Sequence, residues 1–311
     1  MLENIGVGCL NLLKRILIYK NTNKTDRKVI IKTQGGLGNQ LFQYAAGLEI
    51  AKRYNYSIMF ELEFQKKSKR KFELRNLGIK ERILSDEQKK TFVYRFQNFL
   101  IKLYEKFIAY SFADNEVTRR IFALFGVFFC NHNNPDIPHN LFRHNTIVIA
   151  GSFSNEKYFQ FVLNDLQKKV KRYLVEWPFE YRHNTVCVHI RRGDYVGNAV
   201  HEVCTDKYYY RAMDEIVKQI GECYFVIFSD DIDYIKRNMQ FCYPYTVCTE
   251  KNTIKSWYYM IQCDHYIISN STFSWWAQRL NANAGKVVIA PQKWFNTSEK
   301  CDLYHNDWIK I

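Results

Sequence analysis

The chain has 311 residues, 47% of them hydrophobic and 16% aromatic, with only 13 Gly and 5 Pro. This supplies a core for one large domain or two packed α/β domains, and it excludes a disordered chain. The net charge of +14 calls for an anionic partner or surface, which can be nucleic acid, acidic lipid headgroups or a phosphorylated substrate.

In chain order, residues 1–27 form an N-terminal extension whose short apolar stretch is broken by Asn11, Lys14 and Arg15. It reads as a leading helix or a frayed terminus, and a peripheral amphipathic helix on a membrane is the other option. KVIIKT (28–33) is the first strand and ends in a Gly-rich turn, Gln34 to Asn39. A helix with Leu41, Phe42, Ala45, Leu48 and Ile50 on one side follows, then a strand in SIMFE. The basic run Lys66, Lys67, Lys69, Arg70 and Lys71 reads as a solvated loop. Residues 85–130 read as helical and aromatic-rich, 131–140 as a loop, TIVIAG (146–151) as a buried strand and 156–175 as a long amphipathic helix.

After Trp177-Pro178 the alternation is regular. TVCVHI, CYFVIF, YTVCT, HYIIS and KVVIA are continuous apolar strands separated by helical patterns, which predicts a parallel sheet covered on both faces. The domain boundary is placed near residue 180, with two doubly wound halves and a ligand at the carboxyl ends of strands. Nine cysteines without a CxxC pair argue against a zinc ribbon. Cys187 and Cys223, inside apolar runs, read as buried free thiols of a reducing compartment. No run of about 18 apolar residues is present, so no membrane-spanning helix is expected.

Four motifs fall at strand ends. TVCVHI runs into Arg191-Arg192-Gly193-Asp194-Tyr195, and an arginine fork there suits phosphate oxygens. The alternative is an Arg–Asp pair tying a turn. CYFVIF ends in Ser229-Asp230-Asp231, where a carboxylate can accept from a ribose or guanine edge, cap the next helix, or, as Asp231-x-Asp233, hold a divalent metal. Ser269-Asn270-Ser271-Thr272 opens a helix carrying Trp275 and Trp276; it reads as an anion site, with an ordinary N-cap as the alternative. GGLGNQ (35–40) lacks both P-loop and dinucleotide spacing, but it lets backbone approach a ligand, with Asn39 and Gln40 as hydroxyl partners.

Together GGLGNQLFQYAAGLEIA (35–51), GSFSNEKYF (151–159), VCVHIRRGDYV (186–196), FSDD (228–231) and SNSTFSWWAQRLN (269–281) resemble glycosyltransferase family 11, the alpha-1,2-fucosyltransferases. The resemblance covers roughly residues 28–295. It implies a GT-B-like α/β fold of two Rossmann-like domains facing a cleft, with 28–180 on the acceptor side and 181–311 binding GDP-fucose. It further implies inverting transfer of L-fucose from GDP-β-L-fucose to the 2-hydroxyl of a terminal β-galactoside, without cofactor or metal, in surface glycan synthesis. By the same resemblance His189 and Arg191 contact GDP, with Arg191 the residue most needed for turnover. Asp230 or Asp231 contacts guanine, Ser271 and Thr272 bind phosphate, and Asn39, with Gly38 in the same turn, lies near fucose and phosphate. Asp194, Glu61, Glu63 and Glu73 stay open as the general base. Ala277-Gln278-Arg279 departs from the small apolar residues expected there, which touches local helix packing only.

Two other classes remain for comparison. One is a metal-dependent transferase using another sugar nucleotide, from Asp231-x-Asp233. The other is a nucleic-acid-binding module, from charge alone and without any recognised motif. The expected partners are GDP-fucose and a galactose-terminated oligosaccharide or glycolipid, with no nucleic acid. The expected location is the cytoplasm, with peripheral contact at an anionic inner membrane as the option the positive charge leaves open.

Overall fold

The computed structural model describes residues 27–68, 70–80, 82–109, 113–130, 136–179, 184–297 and 301–311. The extension before Arg27, with Cys9, lies outside them, as do Lys69 of the basic run and 131–135 of the predicted loop. The described residues divide into two units, one running to Gly36 and resuming over Gln40–Val162, the other comprising Leu37–Asn39 and Leu163–Ile311.

The first unit holds a parallel sheet, β1 (Lys28–Lys32), β2 (Ser57–Glu61), β3 (Val127–Cys130) and β4 (Thr146–Gly151), in the order β2-β1-β4-β3. Alternate residues of β1 and β4 point to opposite faces. Helix α1 (Leu37–Tyr54) covers the Ile31 and Ile149 face; a Cβ on Gly47 would lie 2.3 Å from Ile31 Cδ1, so glycine permits the close approach. Short helices α2 (Glu63–Ser68) and α3 (Asp86–Lys90) lead to α4 (Phe92–Phe107) and α5 (Glu116–Ala123). Tyr94, Ile101, Tyr104 and Phe122 of these last two pack with Ile30, Val148 and Phe129 on the opposite face. Strand β3 was not anticipated in the helical reading of 85–130, because four apolar residues carry no period that separates strand from buried helix.

The second unit holds β5 (Thr185–Ile190), β6 (Tyr224–Ser229), β7 (Tyr245–Val247), β8 (His265–Ile267), β9 (Val288–Ala290) and β10 (Ile309–Lys310), all parallel, in the order β10-β9-β8-β5-β6-β7. The chain lays β6 and β7 to one side of β5, then crosses to lay β8, β9 and β10 on the other. The order therefore reverses between β5 and β8, the place where open α/β sheets bind ligands. Helices α7 (Asp206–Ile220) and α8 (Ile232–Asn238) pack Tyr208, Met213, Ile216 and Ile235 against Val186, Val188 and Ile227.

Helices α6 (Leu163–Glu176), α9 (Thr253–Gln262) and α10 (Thr272–Leu280) pack together, with the Tyr173 ring 5.6 Å from Tyr258 and Gln167 Nε2 donating to the Arg279 carbonyl at 3.2 Å. Helix α6 thus groups with the second unit, and the division falls after Val162 rather than near residue 180. The long helix expected over 156–175 begins only at Leu163, after a short 3-10 turn over Glu156–Tyr158. The eight described cysteines are free, and among the described residues no helix is long and apolar enough to cross a membrane.

Candidate active site

Strand β5 is buried throughout, so its exit delivers Arg191 and Arg192 at the carboxyl edge of the sheet. The Arg191 guanidinium is held from two sides: Nη1 lies 2.7 Å from Asp230 Oδ2 and Nη2 donates to Asp194 Oδ1 at 2.6 Å. Asp230 Oδ1 accepts from the Arg192 amide at 2.8 Å, so both oxygens of Asp230 brace this turn. A Cβ on Gly193 would sit 2.5 Å from Asp230 Oδ2, so glycine is the residue that lets the carboxylate reach Arg191. The ion-pair reading of this motif is the one the geometry displays: the pairs that tie the turn also orient the guanidinium.

Asp231 has a different job. Its Oδ1 accepts from the Tyr234 amide at 3.0 Å and caps α8, while Oδ2 lies 3.4 Å from Arg192 Nε. Both its oxygens face protein groups, so capping is the role the structure gives Asp231. The Arg192 guanidinium lies 3.1 Å over the Tyr234 ring, whose hydroxyl donates to Asp206 Oδ2 at 2.8 Å.

His189, one residue inside β5, is buried, and its Nδ1 lies 2.9 Å from Ser269 Oγ across the strand reversal. Burial, and then the charge of Arg191, push its pKa down to about 3. At neutral pH it is an uncharged imidazole that offers a hydrogen bond and no positive charge.

Ser269 and Asn270 follow β8 and are buried. Asn270 Nδ2 donates to the carbonyls of His201 at 3.0 Å and Trp294 at 2.9 Å, which shapes the loop. Ser271 Oγ caps α10 by accepting from the Phe273 amide at 3.3 Å, and its hydroxyl hydrogen is still available to a ligand. Helix α10 is buried on nearly all sides, including Trp275, Trp276, Ala277 and Gln278, which holds its amino end firmly in place. The departure at Ala277-Gln278 is accommodated in that packing, Gln278 Nε2 donating to the Trp275 carbonyl at 2.9 Å.

Two residues join this group from the start of α1. Thr272 Oγ1 donates to Asn39 Oδ1 at 3.0 Å, and a Cβ on Gly38 would lie 2.5 Å from Thr272 Oγ1 and 2.6 Å from its carbonyl carbon. Gly38 and Asn39 are therefore helical residues rather than part of a turn; the turn is Gly35 and Gly36, with Gly35 at φ 73°. Gln40 does not serve a ligand: its Nε2 donates to the Gly35 and Lys71 carbonyls, and its Oε1 accepts from the Glu73 amide, each at 2.9 Å.

Tyr195 was overlooked as a site residue. Its hydroxyl donates to the Asn270 carbonyl at 3.2 Å and its ring lies 5.4 Å from the Arg191 guanidinium, so it ties the Arg191 turn to the Ser269–Thr272 segment. The signal was an aromatic directly after the Arg-Arg-Gly-Asp turn. Of the carboxylates open as base, Asp194 is committed to Arg191. Glu61, Glu63 and Glu73 belong to the first unit. Buried Glu61 lies 3.4 Å from Lys32 Nζ, and Glu63 pairs with Lys67 at 2.6 Å, whose hydrogen bond holds its pKa below the ordinary range.

A doubly wound parallel sheet that carries arginine, imidazole and a hydroxyl-rich helix start at its strand reversal defines an α/β enzyme of the kind that binds its ligand at the carboxyl edge. Residues 28–311 match glycosyl transferase family 11, and the chain belongs to that family: it is a glycosyltransferase. An alpha-1,2-colitosyltransferase of Escherichia coli is 26% identical over 317 residues, covering 91% of this chain and 98% of the relative. The O-antigen biosynthesis glycosyltransferase WbnK, also of Escherichia coli, is 26% identical over 309 residues, covering 89% and 98%. The solved structure of Arabidopsis thaliana FUT1 with GDP aligns at 12% identity and TM-score 0.46, covering 89% of this chain and 73% of that one; at that score the likeness carries no argument.

Proposed function

We propose that the chain transfers L-fucose from GDP-β-L-fucose to the 2-hydroxyl of a terminal β-galactoside, inverting the anomeric carbon and requiring no metal. The observation that carries the reading is the guanidinium of Arg191, oriented by Asp194 and Asp230 beside the neutral His189–Ser269 pair. In the transfer the bond from the anomeric carbon to the diphosphate oxygen breaks and its electron pair leaves with GDP. The acceptor oxygen bonds the anomeric carbon and gives up its proton to a base or to water. Negative charge therefore grows on the departing diphosphate, and a preoriented guanidinium stabilises it most. Ser271, Thr272 and the amino end of α10 would meet the same phosphates, Asn39 would lie toward the sugar, and the first unit would supply the acceptor surface. The name of one relative makes an O-antigen intermediate a reasonable acceptor class.

The other relative favours a second donor for comparison. Colitose is fucose lacking one hydroxyl, and a site that hydrogen-bonds that hydroxyl rejects the analogue strongly, whereas an apolar site barely discriminates. The test is incubation with GDP-fucose and with GDP-colitose against a panel of β-galactosides, with linkage analysis of the product. A fucosylated 2-linked product supports the proposal; product from GDP-colitose alone replaces fucose with colitose, and no product from either rejects both. Arg191→Ala should lower turnover by about 10²–10³-fold, the loss expected for one transition-state donor, with folding retained.

A further inference from the structure

We propose that the outer face of α4, with the adjoining exposed edge of α5, is a docking surface for an anionic lipid bilayer. Tyr94, Gln97, Ile101 and Tyr104 face the sheet. The opposite side of a surface helix is ordinarily polar. Here it carries Phe92, Phe99 and Phe107, at spacings of seven and eight, which line up in one outward stripe, while Phe96 and Leu103 on the same side are half-buried, Leu103 packing against the core. Phe92, Phe99 and Phe107 are 55%, 59% and 63% exposed, large side chains in water without any role in the core.

Three further observations point to lipid. Arg95, Lys102 and Lys106 are exposed along one flank of the stripe, at three, ten and fourteen residues from Phe92, a pattern that gives them one rotational side. An amphipathic surface helix with aromatics on one face and cations beside it is the form that settles at the headgroup boundary. Second, Val117, Ile121 and Leu124 make a parallel exposed stripe on and just after α5, and the Phe96 and Phe125 rings, 5.6 Å apart edge to face, connect the two. Third, a cavity of about 170 Å³ opens there, lined by Phe92, Phe96, Leu124 and Phe125 among others, with Lys28 and Arg143 also in its wall. Its wall joins these apolar side chains to polar ones, Gln88, Asn140 and His144 among them, and to the two cations. The chain's +14 charge acts in the same direction.

The test is co-sedimentation of the full chain with vesicles. It should bind vesicles of phosphatidylglycerol and phosphatidylcholine in equal parts, bind pure phosphatidylcholine vesicles poorly, and lose binding as salt rises. Replacing Phe92, Phe99 and Phe107 together by Ser should lower partitioning by about tenfold or more. Replacing Arg95, Lys102 and Lys106 together by Gln should lower it by about fivefold per charge. All six positions are exposed, so thermal unfolding should stay near that of the parent. Equal binding to neutral vesicles, absence of vesicle binding, or binding that survives both triple substitutions would overturn the proposal. So would self-association that the Phe substitutions abolish while vesicle binding is unaffected, since the stripe would then be covered by a second copy of the chain.

Discussion

At the scale of single residues, His189 couples the site to pH. In the folded chain, burial and then the charge of Arg191 push its pKa down to about 3, while an unfolded histidine titrates near pH ~6.5. Below that value the unfolded state holds the extra proton. The stability tied to the neutral ring is therefore complete above about pH 6.5 and drains away as pH falls toward the folded value. Between about pH 7 and pH 5 the parent should lose about 2 kcal/mol more unfolding free energy than His189→Gln, measured by denaturant titration. Equal losses would mean that the ring takes up its proton in the folded state as readily as in the unfolded one.

Asp230 and Asp231 illustrate what adjacent residues of one type conceal. Both stand after a buried strand, and the sequence leaves capping and ligand contact open to either. Asp231 reaches forward to cap α8, and Asp230 reaches across to β5's exit and holds Arg191. That division depends on which carboxylate points along the helix and which toward the neighbouring strand, a geometry set by the β5–β6 pairing.

At the scale of elements, the start of α1 and the start of α10 depend on one another through Gly38. Gly38→Ala would place a methyl group against the Thr272 backbone as well as its hydroxyl, so a side-chain rotation cannot relieve the clash. The expected loss is about 1–3 kcal/mol of stability, typical of overpacking. Gly36→Ala serves as the control: its Cβ would meet nothing nearer than 3.6 Å, at Glu73 Oε2, and its φ of −86° suits alanine. It should change stability by less than about 0.5 kcal/mol. Chemical unfolding of the two variants side by side checks the contrast.

Most strands and helices were readable from composition, because continuous β-branched runs between Gly, Pro and Asn breaks leave little choice. β3 and the two-residue β10 were not: one is aromatic and short, the other is a strand only because β9 lies beside it. Helix α6 was readable as a helix but not as a member of the second unit, since an apolar stripe identifies that a partner exists and not which one.

At the scale of the whole molecule, the metal question separates the proposed chemistry from its nearest rival. If Arg191 and the α10 amino end carry the leaving-group charge, EDTA should leave transfer unchanged and added manganese should not stimulate it. Loss of activity in EDTA with recovery on manganese would favour the metal-dependent transferase instead.

The order of residues was sufficient for the α/β class, two parallel sheets and the family, because strand periodicity and strand-end chemistry are local properties that few residues specify. Chain folding settled matters of another kind: which carboxylate meets Arg191, that Tyr195 bridges to Asn270, that Gly38 lies against Thr272, and that α4 faces water with its phenylalanines. Each of these joins residues far apart in the chain or fixes a rotation about a helix axis, and long-range packing decides such things where local preference is silent.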